Sequence, residues 1–423
     1  MSDYIPLPIE LLDEILVRLP VESLIRFTSV CKSWYSLITS PSFVTKHLSH
    51  SKTNARNLLL KTFDYEKNKE RYLLYRGDKK FSDEFSELEP PLSTQIGPKR
   101  IVGSCNGLIC MVDRNLPSCR SIILWNPLIR KSMTLPMPYQ PETPPWGFVL
   151  GFGAQPTTQE YMLVSIVFET EDIEQPSKVE LYTQDTGSWR SISCVGYPNG
   201  IAELNRSQAF VNGAIHWIAL ERRVVDGLLP CSIMAFNMGS QAFSLTKMPA
   251  ALVRLVNQNL VGHSIMSYGE SLAVSCREGG FCCIWVMKEY GVAESWAKLC
   301  DINLPIGLNQ IIGFRKGQVL LSTNDHRLLC YDCETKTSAN PLDSESSITF
   351  DGGIEVAIDA SAAIDFAMGK FSVLHHFSNV ISDCNFLMAE LDIPTISHTY
   401  REGNQCADLL ANLSVIAMKR RIL

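Results

Sequence analysis

The tripeptide Leu124-Trp125-Asn126 places an aromatic side chain in a short apolar strand immediately before a turn, and this arrangement recurs along the chain. The recurrences are Leu181-Tyr182-Thr183, Ala235-Phe236-Asn237, Ile284-Trp285-Val286 and Cys330-Tyr331-Asp332. Successive aromatic residues are separated by 57, 54, 49 and 46 residues (182 − 125, 236 − 182, 285 − 236 and 331 − 285). A repeat of about 50 residues is typical of β-propeller blades, which must stack to bury both faces.

The residues around each aromatic predict further short strands, separated by Gly, Asn and Pro turns. One apolar strand precedes each aromatic, at residues 107–112, 161–166, 214–220, 271–276 and 318–322. Another strand follows four of the turns, at residues 131–135, 188–192, 242–247 and 295–299. Three or four antiparallel strands per repeat is the content of a propeller blade. The sequence therefore predicts an all-β, propeller-like domain over residues 99–345.

The composition of this domain favours binding over catalysis. Its large aromatic residues are interpreted as blade core rather than as ligand contacts; they are Trp125, Trp189, Trp217 and Trp285. His216 is interpreted as structural, and the lone pair Cys330-x-x-Cys333 as core thiols, because a zinc site needs further ligands. The region contains no glycine-rich phosphate loop and no nucleophile elbow. Its expected function is a binding surface made of loops between strands.

Four motifs in this domain, in this order, carry a family resemblance. They are Gly103-Ser104-Cys105-Asn106-Gly107-Leu108, Trp125-Asn126-Pro127-x-x-Arg130-Lys131, Val179-Glu180-Leu181-Tyr182 with Ser188-Trp189-Arg190, and Val211-Asn212-Gly213-x-x-His216-Trp217. Residues 99–345 resemble the F-box-associated, kelch-like domains of plant F-box proteins. The resemblance implies a β-propeller that binds a target protein.

The first fifty residues predict a small helical bundle. A helix over residues 8–19 has one apolar face, formed by Leu11, Leu12, Ile15, Leu16 and Leu19. Pro20 ends this helix, and shorter helices follow over residues 21–27 and 30–38, before Pro41 opens a last turn. So small a bundle cannot hide all of its large apolar residues. A second domain or a partner protein must therefore cover some of them.

Residues 1–50 resemble an F-box through the pattern Leu7-Pro8-x-Glu10-Leu11-Leu12-x-Glu14-Ile15-Leu16-x-Arg18-Leu19-Pro20-x-x-Ser23-Leu24-x-Arg26-Phe27-x-x-Val30-Cys31-Lys32-Ser33-Trp34-x-x-Leu37-Ile38. The resemblance implies a three-helix module that docks on the Skp-type adaptor of a cullin ligase. It also implies which residues contact the adaptor or shape that surface, namely Leu7, Pro8, Ile15, Leu19, Pro20, Leu24, Val30 and Trp34. Leu12, Leu16 and Leu37 are expected to pack inside the bundle.

Residues 51–98 are predicted to be a connector with strands at 58–63 and 71–75.

The last eighty residues alternate predicted strands and helices, which indicates a small α/β segment over residues 350–416. Its motifs resemble the second half of the RNase H-like domains of plant retroelements; they are Ile354-Glu355-Val356-x-Ile358-Asp359-Ala360, Ser378–Cys384 and His398-x-Tyr400-Arg401-Glu402-Gly403-Asn404-Gln405-Cys406-Ala407-Asp408. The resemblance makes Asp359 and Asp408 metal-binding carboxylates and His398 a mobile histidine. The upstream half, with the remaining carboxylates, is missing, whereas two-metal catalysis needs several. We therefore expect a vestigial site without bound metal or other cofactor.

The composition limits the remaining choices. Net charge is −6, so no global basic field exists to hold nucleic acid. The 14 cysteines are scattered, and the sequence predicts no signal peptide and no membrane span, so we expect thiols in the cytosol or nucleus. The favoured hypothesis is a non-enzymatic, substrate-recognition subunit of an SCF-type cullin–RING ubiquitin ligase, with an unknown protein target. The alternatives are a nucleic-acid hydrolase acting through the C-terminal segment and an F-box protein that only binds.

Overall fold

A computed structural model of the chain describes residues 9–54, 58–64, 69–75, 85–89, 99–113, 121–138, 147–169, 176, 178–193, 195–198, 200–205, 207–259, 262–278, 281–304, 307–315, 317–324, 328–339 and 355–358. The chain divides into two compact units, whose described parts are residues 9–47 and 48–358. No helix in these ranges is long and apolar enough to cross a membrane.

The N-terminal unit is helical, as the sequence predicts. Its helices are α1 (Ile9–Leu16), α2 (Val21–Phe27), α3 (Lys32–Ile38) and the start of α4 (Pro41–Asn54). Leu16, Leu24 and Ile38 are fully buried and form the centre of the bundle. Lys46 Nζ lies 2.6 Å from both Asp13 Oδ2 and Glu14 Oε1, which joins α4 to α1. The first helix is shorter than predicted, because its last turn loosens before Pro20.

The second unit is a six-bladed β-propeller, which confirms the predicted fold class. Blade 1 contains β1 (Leu58–Asp64), β2 (Lys69–Tyr75) and β3 (Phe85–Leu88); blade 2 contains β4 (Lys99–Cys105), β5 (Leu108–Asp113), β6 (Ile122–Asn126) and β7 (Lys131–Leu135); blade 3 contains β8 (Gly147–Ala154), β9 (Tyr161–Phe168), β10 (Lys178–Thr183) and β11 (Ser188–Ser191).

The later blades follow the same antiparallel plan. Blade 4 contains β12 (Ile201–Leu204), β13 (Ala209–Val211), β14 (Ala214–Glu221), β15 (Cys231–Asn237) and β16 (Ala242–Lys247), and helix α5 (Ala250–Gln258) leads onward; blade 5 contains β17 (His263–Tyr268), β18 (Ser271–Glu278), β19 (Phe281–Met287), a short 3₁₀ helix (Ala293–Ser295) and β20 (Trp296–Asn303); blade 6 contains β21 (Leu308–Arg315), β22 (Gln318–Thr323), β23 (Leu328–Asp332) and β24 (Thr337–Ala339).

The ring is closed by a strand from the far end of the chain. Strand β25 (Glu355–Ile358) pairs antiparallel with β1 and becomes the innermost strand of blade 1, between β4 of blade 2 and β21 of blade 6. Residues 58–88 are therefore three strands of a blade, which corrects the predicted connector over residues 51–98. The propeller starts earlier and ends later than residues 99–345, because blade 1 draws its strands from both ends of the domain.

Aromatic side chains fill the core between neighbouring blades, as the repeat predicts. Tyr72 of blade 1 and Trp125 of blade 2 pack edge to face, with ring centroids 5.1 Å apart at 82°. Trp217 of blade 4 is fully buried against strands of blade 3. Trp125 and Trp217 are therefore blade core, whereas Trp189 and Trp285 are half-buried.

Three of the five repeated aromatics, Trp125, Phe236 and Tyr331, are followed by an Asx residue and a turn of one recurring type. Asn126 Oδ1 accepts a hydrogen bond from the Leu128 amide at 3.1 Å, and Asn237 Oδ1 accepts one from Gly239 at 2.9 Å. Asp332 does the same in blade 6. The residue four positions later adopts a left-handed conformation; these residues are Arg130, Gln241 and Lys336, at φ of 54°, 55° and 56°. A short Asx side chain caps this turn by mimicking backbone.

Two of the family motifs contain Asn-Gly hairpin turns. Asn106 and Gly107 have φ of 46° and 85°, and Asn212 and Gly213 have φ of 50° and 72°. Positive φ at both central residues gives the turn whose twist suits antiparallel strands. A Cβ at Gly213 would lie 2.2 Å from Pro156 Cγ, so this glycine is also required by the neighbouring loop.

Two cysteines meet between neighbouring blades. Cys300 of blade 5 and Cys333 of blade 6 lie side by side, with Cα atoms 5.7 Å apart. Cys330, the predicted companion of Cys333, is buried and is not part of this pair. Sequence spacing gives no sign of this pairing, because the two cysteines meet only when adjacent blades stack.

Candidate functional site

An apolar face is exposed on the N-terminal helices. Ile9, Leu11 and Ile15 on α1 are 60%, 52% and 36% exposed, and Tyr35 on α3 is 47% exposed. The fully buried positions of the bundle are occupied by other residues, namely Leu16, Leu24 and Ile38. Exposed apolar groups gathered on so small a unit are typical of a protein–protein contact.

The predicted adaptor-binding residues fall into three groups. Leu7 and Pro8 lie outside the described residues. Ile15 and Pro20 are exposed, and three more are half-buried and still reach the surface; these are Leu19, Val30 and Trp34. Leu24 is fully buried, so it can shape the surface from beneath but cannot contact a partner.

The expected interior residues agree in part with the structure. Leu16 is fully buried, whereas Leu12 and Leu37 are half-buried. Ile9 and Tyr35 were not singled out by the sequence pattern. Tyr35 directly follows the motif residue Trp34 and is rotated about 100° from it around α3. This position next to the motif is the signal that could have identified Tyr35 as an exposed residue.

Packing between helices fixes this face in place. Phe27 of α2 and Trp34 of α3 meet edge to face, with ring centroids 5.4 Å apart. His47 of α4 is buried, and its Nε2 lies 3.0 Å from the Leu19 carbonyl at the end of the first helical segment. These contacts hold α1 and α3 as a preformed surface, which reduces the ordering cost of binding.

The propeller surrounds a central cavity of about 940 Å³. Its wall is formed by the inner strands of blades 2 to 6 and is rich in amide and hydroxyl side chains. Gln208 shows how these groups are used, since its Oε1 accepts from the Phe152 amide and its Nε2 donates to the Phe152 carbonyl, both at 2.8 Å. The side chain therefore pairs with the free inner edge of β8 as another strand would.

Two residues close to Gln208 in the chain, Asn205 and Ser207, form hydrogen bonds with the next blade, blade 5. Asn205 Nδ2 donates to the His263 carbonyl at 3.2 Å, and Ser207 Oγ accepts from the Ile265 amide at 3.2 Å. Asn205, Ser207 and Gln208 thus join the inner strands of blades 3 and 5 through blade 4. These three side chains are committed to holding the ring together.

Comparison with protein families matches the propeller and the helical unit separately. Residues 55–352 match the family model described as F-box associated beta propeller domain, which covers more than half of the chain. The chain belongs to the F-box associated β-propeller family. Residues 6–46 match the F-box domain model, so the helical unit is an F-box, as predicted.

Relatives of this F-box associated β-propeller protein are found in Arabidopsis thaliana. An F-box/kelch-repeat protein is 28% identical over 351 residues, covering 76% of this chain and 89% of the relative. The F-box protein CPR1 is 26% identical over 365 residues, covering 78% and 83%. A third F-box protein is 30% identical over 342 residues, covering 72% and 75%. These matches support a substrate-recognition F-box protein.

The C-terminal segment of this F-box protein matches a different family model. Residues 351–414 match the family model described as reverse transcriptase-like, which confirms the resemblance to a retroelement RNase H fragment. Asp359, His398 and Asp408 lie outside the described residues. The strand directly before Asp359 is β25, which is paired into blade 1. Within the described ranges, no group of three or more His, Cys, Asp or Glu residues could hold a metal ion.

His216, from the last propeller motif, is a structural histidine between blades 4 and 5. Its Nδ1 donates to the Ala209 carbonyl at 3.2 Å, so its Nε2 accepts from the Tyr290 hydroxyl at 2.9 Å. Burial lowers the pKa of His216 to about 4. The ring is therefore neutral near pH 7 and holds a single tautomer, which suits a packing role.

Proposed function

We propose that this F-box protein is the substrate-recognition subunit of an SCF-type cullin–RING ubiquitin ligase. The exposed apolar face of α1 and α3 binds a Skp-type adaptor, and the propeller binds the protein to be ubiquitinated. The chain then acts by proximity, because holding the target near the charged ubiquitin carrier raises its effective concentration. This role needs no covalent chemistry from the chain itself and operates where such ligases work, in the cytosol or nucleus.

The observation that carries the proposal is the exposure of Ile9, Leu11, Ile15 and Tyr35 on one preformed helical unit. Burial of each such side chain contributes about 1–3 kcal/mol, before the losses of association are subtracted. Several together can support a stable complex. The F-box match over residues 6–46 and the F-box proteins among the relatives are consistent with this use of the face.

A pull-down with a purified Skp-type adaptor tests the proposed contact. Leu11→Asp with Ile15→Asp places charges in the face and should lower adaptor binding at least about tenfold, because each 1.4 kcal/mol corresponds to a factor of ten. Tyr35→Ala is a milder variant on a different helix and should weaken binding less. Leu245→Asp is the matched control, since Leu245 is an exposed apolar residue on β16 of the propeller.

Two results would decide whether the helical face binds the adaptor and whether the chain acts in a ligase. Unchanged adaptor binding by the α1 double variant, with helical circular dichroism retained, would contradict the proposed contact. Transfer of ubiquitin to a captured target in a reconstituted reaction would separate a ligase subunit from an F-box protein that only binds. The nucleic-acid hydrolase is not proposed, because the segment offers Asp359 and Asp408 where a two-metal site needs several carboxylates.

A further inference from the structure

One face of the propeller ring carries helix α5 between two loops. The inner strands of a propeller run in the same direction, so the β14–β15 and β18–β19 connections and the link from β16 to β17 emerge on the same side. We define the α5 face as residues 222–228, residues 247–258 and Phe281. It spans blades 4 and 5.

Hydrogen bonds hold α5 between the two blades. Asn257 Oδ1 accepts from the Leu229 amide at 2.8 Å, and its Nδ2 donates to the Leu229 carbonyl at 2.9 Å. Asn259 Nδ2 donates to the Arg277 carbonyl of blade 5 at 2.9 Å. Leu252 and Val256 are fully buried beneath the helix. The α5 face is therefore a fixed platform, and a partner would bind it without first ordering it.

Large apolar side chains stand out from this platform. Val224 and Val225 are 58% and 52% exposed, and Phe281 is 58% exposed. Val224 and Val225 lie in the loop between β14 and β15, and Phe281 is the first residue of β19; none of the three belongs to the core cluster that includes Leu252 and Val256 of α5. Exposed aromatic and aliphatic groups on a rigid surface are suited to act as anchors for a partner.

The charge of the α5 face is opposite to that of the whole chain. Arg223, Lys247 and Arg254 are exposed on it, against the exposed carboxylate Asp226. Throughout the described residues, neither Arg223 nor Arg254 takes part in an ion pair. A chain with a net charge of −6 thus presents uncompensated arginines beside its exposed apolar groups. Complementary charge on a partner would steer association and select it against basic competitors.

We propose that the α5 face docks an acidic peptide segment that also carries large apolar side chains. The arginines pair with its carboxylates, and Val224, Val225 and Phe281 receive its apolar residues. The inference rests on the proposed function, because the segment would belong to the protein presented for ubiquitination. It specifies the chemistry of that target rather than its identity.

Fluorescence anisotropy with synthetic peptides tests this inference on the full chain bound to its Skp-type adaptor. The probe is a labelled peptide in which Glu alternates with Leu and Phe; one comparison peptide has Lys for Glu, and another has Ser for Leu and Phe. Binding should require both acidic and apolar residues and should weaken at high salt. Arg223→Glu with Arg254→Glu should weaken it at least about tenfold. Phe281→Ser should also weaken it, whereas Lys336→Glu, at an exposed turn on the opposite face, should not.

Several outcomes would overturn the inference. These are equal binding of the acidic and basic peptides, unchanged affinity in the double arginine variant, or no binding of any peptide. Adaptor retention is measured in the same samples. Retained adaptor without peptide binding overturns the docking surface alone, whereas loss of adaptor from the unmodified chain overturns the proposed function.

Discussion

Leu58 of β1 lies opposite Ile358 of β25, so two residues separated by 300 positions (358 − 58) pair at the closure of the propeller. The family match for the propeller ends at residue 352, and the retroelement-like match begins at residue 351. The closing strand therefore comes from the segment that resembles RNase H. A strand that carries a catalytic carboxylate in that family here completes a blade.

Truncation tests this closure. A chain ending at residue 353 lacks β25 and leaves the inner edge of β1 unpaired, whereas a chain ending at residue 360 keeps the whole strand. The shorter chain should melt at a lower temperature, since strand loss removes backbone hydrogen bonds worth about 0.5–1.5 kcal/mol each. Equal thermal melts by circular dichroism would contradict the closure.

The same closure predicts how residues 99–345 behave as an isolated segment. This segment contains five blades and no part of blade 1, so its first and last blades have no neighbour to cover them. It should be less stable than residues 55–360 and more prone to aggregate. A cooperative melt of the five-blade segment at the same temperature as the six-blade one would show that the ring need not close.

Gly103 and the side chain of Gln208 lie in close contact at the wall of the cavity. A Cβ at Gly103 would lie 2.3 Å from Gln208 Nε2, so Gly103→Ala must displace the amide that pairs with Phe152. The loss should be about 1–3 kcal/mol in the free energy of unfolding, because buried backbone groups lose their partner. In a Gln208→Ala background the same Gly103→Ala change should cost much less. Additive losses in this double-mutant cycle would show that the two residues act independently.

Acid should destabilise the propeller through His216. An unfolded histidine titrates near pH 6.5, whereas burial lowers the pKa of His216 to about 4 in the folded state. Between these values the unfolded chain binds a proton that the folded chain does not, so stability falls as pH falls, by at most about 1.4 kcal/mol per pH unit. His216→Gln should show a shallower decline in melting temperature from pH 6.5 to 4.5. An unchanged slope would exclude this residue as a source of the decline.

The C-terminal segment should lack ribonuclease H activity. Asp359 and Asp408 supply two carboxylates, whereas alignment of two metal ions with the scissile phosphate needs about twice that number. The purified protein, given Mg²⁺ or Mn²⁺ and an RNA–DNA hybrid, should show background cleavage alone. Cleavage that disappears in Asp408→Asn would prove this wrong and would mean that acidic residues from elsewhere complete the site.

The sequence predicts the blades whose strands are contiguous. Trp125, Tyr182 and Phe236 reveal their blades because each sits at the same place in an unbroken repeat. Tyr72 holds that place in blade 1, 53 residues before Trp125 (125 − 72), but the repeat is obscured because the inner strand of that blade, β25, starts 267 residues after the end of β3 (355 − 88). The spacing of 53 residues between Tyr72 and Trp125, which matches the other repeats, is the sequence signal that could have identified blade 1.

Other features depend on contacts that no local pattern encodes. The hydrogen bonds of Gln208 with Phe152 and the close approach of Cys300 to Cys333 join different blades, so they exist only after the ring has assembled. On the F-box, the resemblance named Ile15, Trp34 and Leu24 alike as residues that contact the adaptor or shape its surface, but it could not show that Ile15 is exposed, Trp34 half-buried and Leu24 fully buried. Helical periodicity identifies an apolar face, whereas the depth of each residue depends on the neighbouring helices.

Affinity purification from plant cells, followed by mass spectrometry, tests whether this F-box protein assembles with a Skp-type adaptor and a cullin. The tagged full-length chain is compared with Leu7→Ala combined with Pro8→Ala, two motif residues at the start of the F-box. Removing their apolar groups should weaken the complex, because each contributes on the order of 1–3 kcal/mol when buried. Skp-type adaptor and cullin peptides should co-purify with the unmodified chain and should be depleted with the variant. Absence of adaptor from the unmodified chain, or equal recovery with both, would contradict it.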